Sequence, residues 1–335
     1  MNKKHYCFDG EYPTNVNKSN EDIRENVEYL KNKINEIDRN VWRKAVAFTN
    51  EYENMHKLCI PRKMNRAYFK MLEILIDFDL FEHNKQNNIT SLHLCEGPGG
   101  FIQCCKEYCE WRNINLNWTG ITLRNDTNQQ NLPDFDKVTL EKDNICYGKD
   151  GTGDLMNIEN IEFIRDRMLP QGGAYIITAD GGFDVSHNYL SQESLSFPLF
   201  KHQVITALLC QAKGGCFVMK IFDIYENYTQ KLLYLLYIHY EKITITKPHS
   251  SRPCNSERYV VCTHFKDVSY DSIDKIIFPE SIPPAFSQHI NNCINMYGQF
   301  QEQYLKDTTD FATRNRYISK KKDLSKLWLK TYLNS

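Results

Sequence analysis

No apolar run in this sequence approaches the length of a membrane span, and its first twenty residues, MNKKHYCFDGEYPTNVNKSN, hold no apolar core of signal-peptide length. The expected setting is inside a cell, with no membrane partner. An excess of charge is also missing, since 41 Lys and Arg stand against 42 Asp and Glu for a net charge of −1. Any surface that takes a polyanion has to be local. The 12 cysteines are scattered and form no C-x-x-C pair, and the cluster Cys104, Cys105 and Cys109 has no nearby pair of histidines. Reduced, mostly buried thiols and no metal are the expectation. There is no internal repeat and no long low-complexity segment. What is present is the composition of a globular chain, 41% hydrophobic and 25% charged over 335 residues, enough for one large or two modest domains with a full-sized core.

Residues 21–60 are charged and periodic, with Ile23, Val27, Leu30, Ile34 and Ile37 recurring at helical spacing, and a second helix is expected over about 62–80. Strands and helices then alternate. Apolar runs fall at Ser91–Cys95, Trp118–Leu123, Ala174–Ala179, Cys216–Phe222, Lys242–Thr246 and Arg258–Thr263, which predicts an α/β sandwich with a largely parallel sheet. Only KPHSSRPCNSE separates the last two runs, too little for a crossover helix, so these should pair as an antiparallel hairpin. From about Pro283 the pattern is helical again and ends in the basic, amphipathic SKKKDLSKLWLK, whose commonest fate is to dock on the core; contact with RNA or a partner is the alternative.

The stretch TSLHLCEGPGGFIQCC places a glycine turn between an apolar run and a helix. Such a turn holds a nucleotide phosphate, a dinucleotide pyrophosphate or S-adenosylmethionine. A phosphate loop ends in Gly-Lys-Ser/Thr, whereas Gly100 is followed by Phe101 and Ile102, and Gly97-Pro98-Gly99-Gly100 lacks the third glycine of the dinucleotide fingerprint. Glycines here permit close approach, and the helix starting near Gly100 offers N–H groups to a carboxylate such as the one S-adenosylmethionine carries.

Four charged residues lie in separate motifs: Lys70 in NRAYFKM, Asp180 in TADGGF, Lys220 in FVMKIFD and Glu257 in NSERYVV. Alone, a lysine is usually solvated and an Asp-Gly-Gly is usually a turn. Lys220 differs because it sits in an apolar strand, where a charge without a role is costly. Together with EGPGGF these motifs resemble the FtsJ-like RNA ribose 2′-O-methyltransferases. The resemblance is closest to the cap-specific mRNA ribose methyltransferases of eukaryotes and large DNA viruses, through TADGGFDV, GGCFVMKIFD and KPHSSRPCNSERYVVC, and it covers roughly residues 60–265.

That resemblance implies a Rossmann-like class I methyltransferase sandwich with a mostly parallel seven-stranded sheet ending in an antiparallel hairpin, over residues 61–268, flanked by helical extensions at 1–60 and 269–335. It implies that Lys220 is the general base, with Lys70 and Asp180 lowering its pKa and orienting it, and that Glu257 positions Lys70 or the ribose. S-adenosylmethionine is the implied cofactor, contacted by Asn65, by Cys95, Glu96, Gly97, Pro98, Gly99, Gly100 and Phe101, and by Asp154 with Leu155. Asp154 reads nearly as well as an acidic cap before a helix starting near Asn157. Asp126 or the backbone is left for ribose recognition after the second strand. RNA contacts are expected from Arg62, Lys63, Arg66, Ser191, Gln192, Arg252 and Asn255, and some aromatic should stack on the methylated guanine. The implied activity is methylation of the first transcribed nucleotide of m7G-capped mRNA, the capped mRNA being the partner, with other capping or transcription proteins as further candidates. The alternatives are a ribosomal or transfer RNA 2′-O-methyltransferase and a silent capped-RNA-binding subunit. The expected location is the nucleus for a cellular protein, and the host cytoplasm or the virion for a viral one.

Overall fold

Helical spacing holds through Ile34 and then stops, because Asp38 opens a new helix by accepting from the amides of Asn40 and Val41 at 2.9 and 3.1 Å. Ile37 therefore sits in a turn, between α1 (Asn20–Ile34) and α2 (Arg39–Thr49). The structure is a computed structural model that describes residues 4–8, 19–81, 87–124, 133–136, 141–182, 189–266, 270, 272–314 and 322–333. Ile23, Val27, Leu30 and Ile34 form the buried stripe of α1 against Leu305 of α9 (Pro284–Arg314), so the two ends of the chain pack together. Each such fully buried side chain contributes about 1.5–3 kcal/mol.

After the short α3 (Met55–Leu58), the helix expected over 62–80 is confined to α4 (Ala67–Asp77). Residues 62–66 are diverted into a loop in which the Met64 amide donates to Gln103 Oε1 at 2.9 Å, while Asn65 Oδ1 accepts from the Ala67 amide at 2.9 Å and starts the helix. Asp79, at φ +52, closes its far end in the left-handed region.

The alternating segments then follow as β2 (Asn88–Leu94), α5 (Gly100–Trp111), β3 (Asn115–Ile121), β4 (Ile145–Cys146), α6 (Ile158–Met168), β5 (Ala174–Ala179), α7 (Gln192–Cys210), β6 (Gln211–Ile221), α8 (Asn227–His239), β7 (Tyr240–Lys247) and β8 (Arg258–Phe265). They join β1 (Lys4–Cys7) in one sheet ordered β1-β7-β8-β6-β5-β2-β3-β4. This is the Rossmann-like sandwich, with the expected hairpin pairing antiparallel, Thr246 opposite Tyr259. Two details correct the expectation. The described residues contribute eight strands rather than seven, because β1 pairs antiparallel with β7 inside what reads as a purely helical extension. The hairpin also does not simply close the sheet, since β8 inserts between β7 and β6 and runs antiparallel to both.

One face of the sheet is covered by α6, α7, α8 and α9, the other by α4, α5 and α10 (Ser325–Leu333). The basic tail helix docks as expected, with Trp328 fully buried and edge-on to Phe69. All twelve cysteines are free and ten are buried. Among the described residues no group of His, Cys, Asp or Glu is arranged to hold a metal, and no helix is long and apolar enough to cross a membrane.

Candidate active site

The strand order reverses between β5 and β2, so the carboxyl ends of β2, β5 and β6 open onto one crevice, the usual ligand position in an open α/β sheet. The glycine loop leaves β2 there. Cys95 takes φ +56 while its amide bonds to Ile121 O at 2.7 Å. A Cβ at Gly97 would lie 1.8 Å from Pro133 O, and one at Gly100 would lie 2.1 Å from Asn65 Oδ1. Close approach of the loop to the Pro133 backbone and the Asn65 side chain is thus the reason for these glycines.

Glu96 modifies the expected picture. Its fully buried carboxylate accepts from Thr178 Oγ1 at 3.1 Å and from the Phe101 amide, so one of the amides at the start of α5 is already taken. Burial and then the neighbouring Asp180 push its pKa well up. Behind it, His93 is buried and neutral, its pKa pushed down to about 3 by desolvation. Because the Thr178 hydroxyl donates to Glu96, it accepts from His93 Nδ1 at 2.8 Å, leaving Nε2 to accept from Ser91 at 2.9 Å. The Phe101 ring is buried in the core against Tyr259, so only the backbone of this residue is left to meet a ligand. Leu155 is likewise a core side chain.

Asp154 lies close enough to Cys95 to add to the rise that burial gives the thiol pKa. A Cβ at Gly153 would sit 1.8 Å from Thr122 O, which seats this loop against the end of β3. Asn157, not Asp154, caps α6 by accepting from the Glu159 amide at 3.1 Å. Asp154 Oδ1 instead accepts from the Met156 amide at 2.8 Å. Asp126 falls outside the described residues.

The four charged residues come together across the end of the sheet. Lys220 pairs in register with Tyr259, and Glu257 directly precedes β8, so the hairpin carries Glu257 to the end of β6. Lys70 Nζ donates to Glu257 Oε2 at 2.7 Å. Lys220 Nζ lies 3.3 Å from Asp180 Oδ1 and donates to Asp180 O at 2.5 Å, while the Tyr259 hydroxyl donates to Asp180 Oδ1 at 3.0 Å. A Cβ at Gly182 would reach Lys220 Cε at 3.1 Å, so this glycine gives the lysine its space.

The electrostatics overturn one expectation. Burial draws the Lys220 pKa down, but Asp180, Glu257 and Glu96 outweigh it and the net shift is upward. Asp180 raises the lysine pKa rather than lowering it, because a carboxylate stabilises the ammonium. Burial works against the Glu257 carboxylate, yet Lys70 and Lys220 bring its pKa down from 4.5 to about 2. A depressed carboxylate contributes stability above its ordinary pKa and loses it as pH falls through the folded value. Glu257→Gln should therefore cost roughly 3 kcal/mol at neutral pH, with the gap to wild type closing between pH 4.5 and 2. Denaturant titration of both proteins over that range checks it, and a gap independent of pH would contradict it.

The crevice widens into a cavity of 730 Å³ that joins Lys220, Gly182 and Glu257 to Gln192, Arg252 and Asn255, and then to Arg39, Trp42 and Arg43 of α2. Gln192, Arg252 and Asn255 are thus brought beside the charged four, and Ser191 adjoins them at the start of α7. Arg66 and Lys63 do not present free cations. Arg66 donates to Ser250 O at 3.0 Å and to Glu53 O at 3.2 Å, and Lys63 is buried on Glu107 at 2.5 Å. Arg62 is exposed on the preceding loop.

Three features were missed by reading the sequence. Ser251 donates to Glu257 Oε1 at 2.8 Å, and the buried Lys247 holds the carbonyls of Asn255 and Glu257 at 2.8 and 2.7 Å, its pKa lowered to about 7 by burial. The wall formed by α2 was the third, as residues 21–60 read only as part of a helical extension. Clustering of polar residues in SSRPCNSE was the available signal for the first.

A family model described as FtsJ-like methyltransferase matches residues 64–265. The cap-specific mRNA (nucleoside-2′-O-)-methyltransferase 2 of Mus musculus is 26% identical over 315 residues, covering 85% of this chain and 41% of that protein. Methyltransferase 1 of the same name from Mus musculus is 35% identical over 266 residues, 73% of this chain and 31% of that protein. Its counterpart from Trypanosoma cruzi (strain CL Brener) is 35% identical over 213 residues, 60% of this chain and 56% of that protein. The chain thus spans less than half the length of the mouse relatives.

Proposed function

The chain belongs to the FtsJ-like methyltransferase family, and from that premise we propose that it methylates the ribose 2′-hydroxyl of the first transcribed nucleotide of m7G-capped RNA, converting cap 0 to cap 1. The observation that carries this reading is the single cavity running from Lys220 and Glu257 to the cationic and aromatic wall of Arg39, Trp42 and Arg43. A capped 5′ end is a polyanion ending in a cationic purine. Arginines match its phosphates, and an indole face attracts the methylated guanine by cation–π interaction.

What supports S-adenosylmethionine is a tight glycine-loop cradle, in which Gly97 and Gly100 pack so closely on Pro133 and Asn65 that neither position admits a Cβ, and in which Asp154 lies near enough to Cys95 to add to the rise that burial gives its pKa. Cys95, Glu96, Pro98, Gly99 and Asn65 would shape that cradle, and Asp154 would accept from the adenosine. When bound, this cofactor supplies a methyl group on a sulfonium that departs as a neutral thioether. Lys220 takes the proton of the attacking ribose hydroxyl at Nζ, held in line by Asp180, while Glu257 keeps Lys70 directed into the same crevice. The protein would act wherever capped transcripts are present in a cell.

Incubation with labelled S-adenosylmethionine and RNAs ending in m7GpppN, GpppN or triphosphate, followed by nuclease digestion, tests the assignment. The label should appear in the first nucleotide, and only with m7GpppN. Trp42→Ala should reduce the preference for m7GpppN over GpppN by roughly tenfold. Equal labelling of all three RNAs would point instead to ribosomal or transfer RNA, and cofactor binding without labelling to a silent capped-RNA-binding subunit.

A further inference from the structure

Glu73 is a carboxylate with no part in the chemistry above, yet it is 2% exposed and four neutral donors converge on it from two separate elements. Trp328 Nε1 of α10 donates to Oε2 at 2.7 Å. The loop joining β7 to β8 supplies the rest: the His249 amide to Oε1, and the Ser250 amide and hydroxyl to Oε2, each at 3.3 Å. Glu73 stands three residues after Lys70 on α4, and the residue after Ser250 is Ser251, which bonds Glu257. One buried side chain therefore ties together the helix that carries Lys70, the loop that positions Glu257 and the C-terminal helix.

We propose that Glu73 is a positioning residue that clamps the His249–Ser250 backbone and Trp328, so that docking of the C-terminal helix sets the Lys70–Glu257 pair. The catalytic part of this inference rests on the methyltransferase reading. The clamp itself does not. An ionised carboxylate has lone pairs for all four donors, whereas a protonated acid or an amide turns at least one hydrogen toward them. The switch is within reach of neutral pH, because burial, and secondarily Asp77, raise the Glu73 pKa to about 7 against the donors that lower it. The titratable groups around it are Asp77 on α4, Tyr332 on α10, which bonds Asp77, Tyr52 beside α3, and His249, whose ring lies 5.0 Å from that of Tyr52. Since the folded pKa is raised, Glu73 contributes most to stability below pH 4.5, and that contribution is lost as pH rises through about 7. Acidification should therefore loosen the clamp while making the fold more stable, two effects of opposite sign that a merely structural residue would not produce.

The test uses the full chain, ¹⁵N-labelled. The Trp328 indole N–H resonance, assigned with Trp328→Phe, should titrate with a midpoint near pH 7, and Glu73→Gln should abolish that titration while accelerating amide exchange at His249 and Ser250. With m7GpppN-RNA, Glu73→Gln should lower single-turnover methyl transfer by roughly tenfold or more, with S-adenosylmethionine binding unchanged; Trp328→Phe, which keeps an aromatic side chain but removes one donor, should fall between wild type and Glu73→Gln. Exchange at 249 and 250 unaltered in Glu73→Gln overturns the clamp, and an indole resonance that does not titrate overturns its pH dependence. Transfer at the wild-type rate in a folded Glu73→Gln overturns its catalytic role. If the wild type labels no RNA, the methyltransferase reading has failed, and the resonance and exchange measurements still decide the clamp.

Discussion

Lys220→Ala is expected to lower single-turnover methyl transfer by about 10²–10⁴-fold, the usual contribution of a general base, while S-adenosylmethionine still binds. The informative companion is Lys220→Arg. Arginine keeps a cation for Asp180 and Glu257 but cannot give up its proton at working pH. If the role of Lys220 is to accept the ribose proton, Arg should be as inactive as Ala although its fold is better preserved. If the cation alone matters, Arg should recover much of the rate. The upward shift of the Lys220 pKa adds a pH signature. Little neutral amine exists at pH 7, and its fraction rises about tenfold per pH unit below the pKa, so the wild-type rate should climb steadily from pH 7 to 9. A flat profile in single turnover would remove Lys220 as the base.

Gly97→Ala is expected to weaken S-adenosylmethionine binding by roughly 5- to 150-fold, the equivalent of the 1–3 kcal/mol that overpacking usually costs. The cause is space, not torsion. The added methyl would lie 1.8 Å from the Pro133 carbonyl oxygen and 3.2 Å from Thr122 Oγ1, and the nearest of these is backbone. The Asp136 amide also bonds Pro98 O at 3.0 Å, so loop and segment can separate only by breaking that contact. Calorimetric titration of the cofactor into the variant measures the loss. Affinity equal to wild type would show that the loop does not cradle the cofactor.

Much of the fold was legible because the signals are local. A run of apolar residues bounded by turns reads as a buried strand wherever it occurs, and the strands beginning at 88, 115, 174, 211, 240 and 258 all overlap such runs. β1 was not legible: KHYC is four residues long and becomes a strand only because β7 offers an edge. The two-residue β4 is still shorter. The helix over 62–80 was read too long because its apolar spacing continues past Asp77, where Asp79 turns left-handed, while at the other end the bond from the Met64 amide to Gln103, far along the chain, holds the preceding loop out of the helix.

The site divides in the same way. The identities of Lys70, Asp180, Lys220 and Glu257 stand in short motifs, and the sequence alone determined which charges an apolar α/β core would have to accommodate, along with the hairpin that a connection too short for a crossover requires. Only the tertiary structure decided what those charges do to one another. Three converging carboxylates outweigh burial and raise the lysine pKa that isolated reasoning expected to fall, Arg66 and Lys63 spend their charge on Glu53 and Glu107, and the N-terminal helices that read as a separate extension bring Trp42 into the cavity beside Lys220. Propensity and patterning act over a few residues along the chain. Electrostatic coupling and cavity walls depend on distances of a few ångströms between residues far apart in sequence, as Glu73 and Trp328 are, and those distances exist only once the chain has folded.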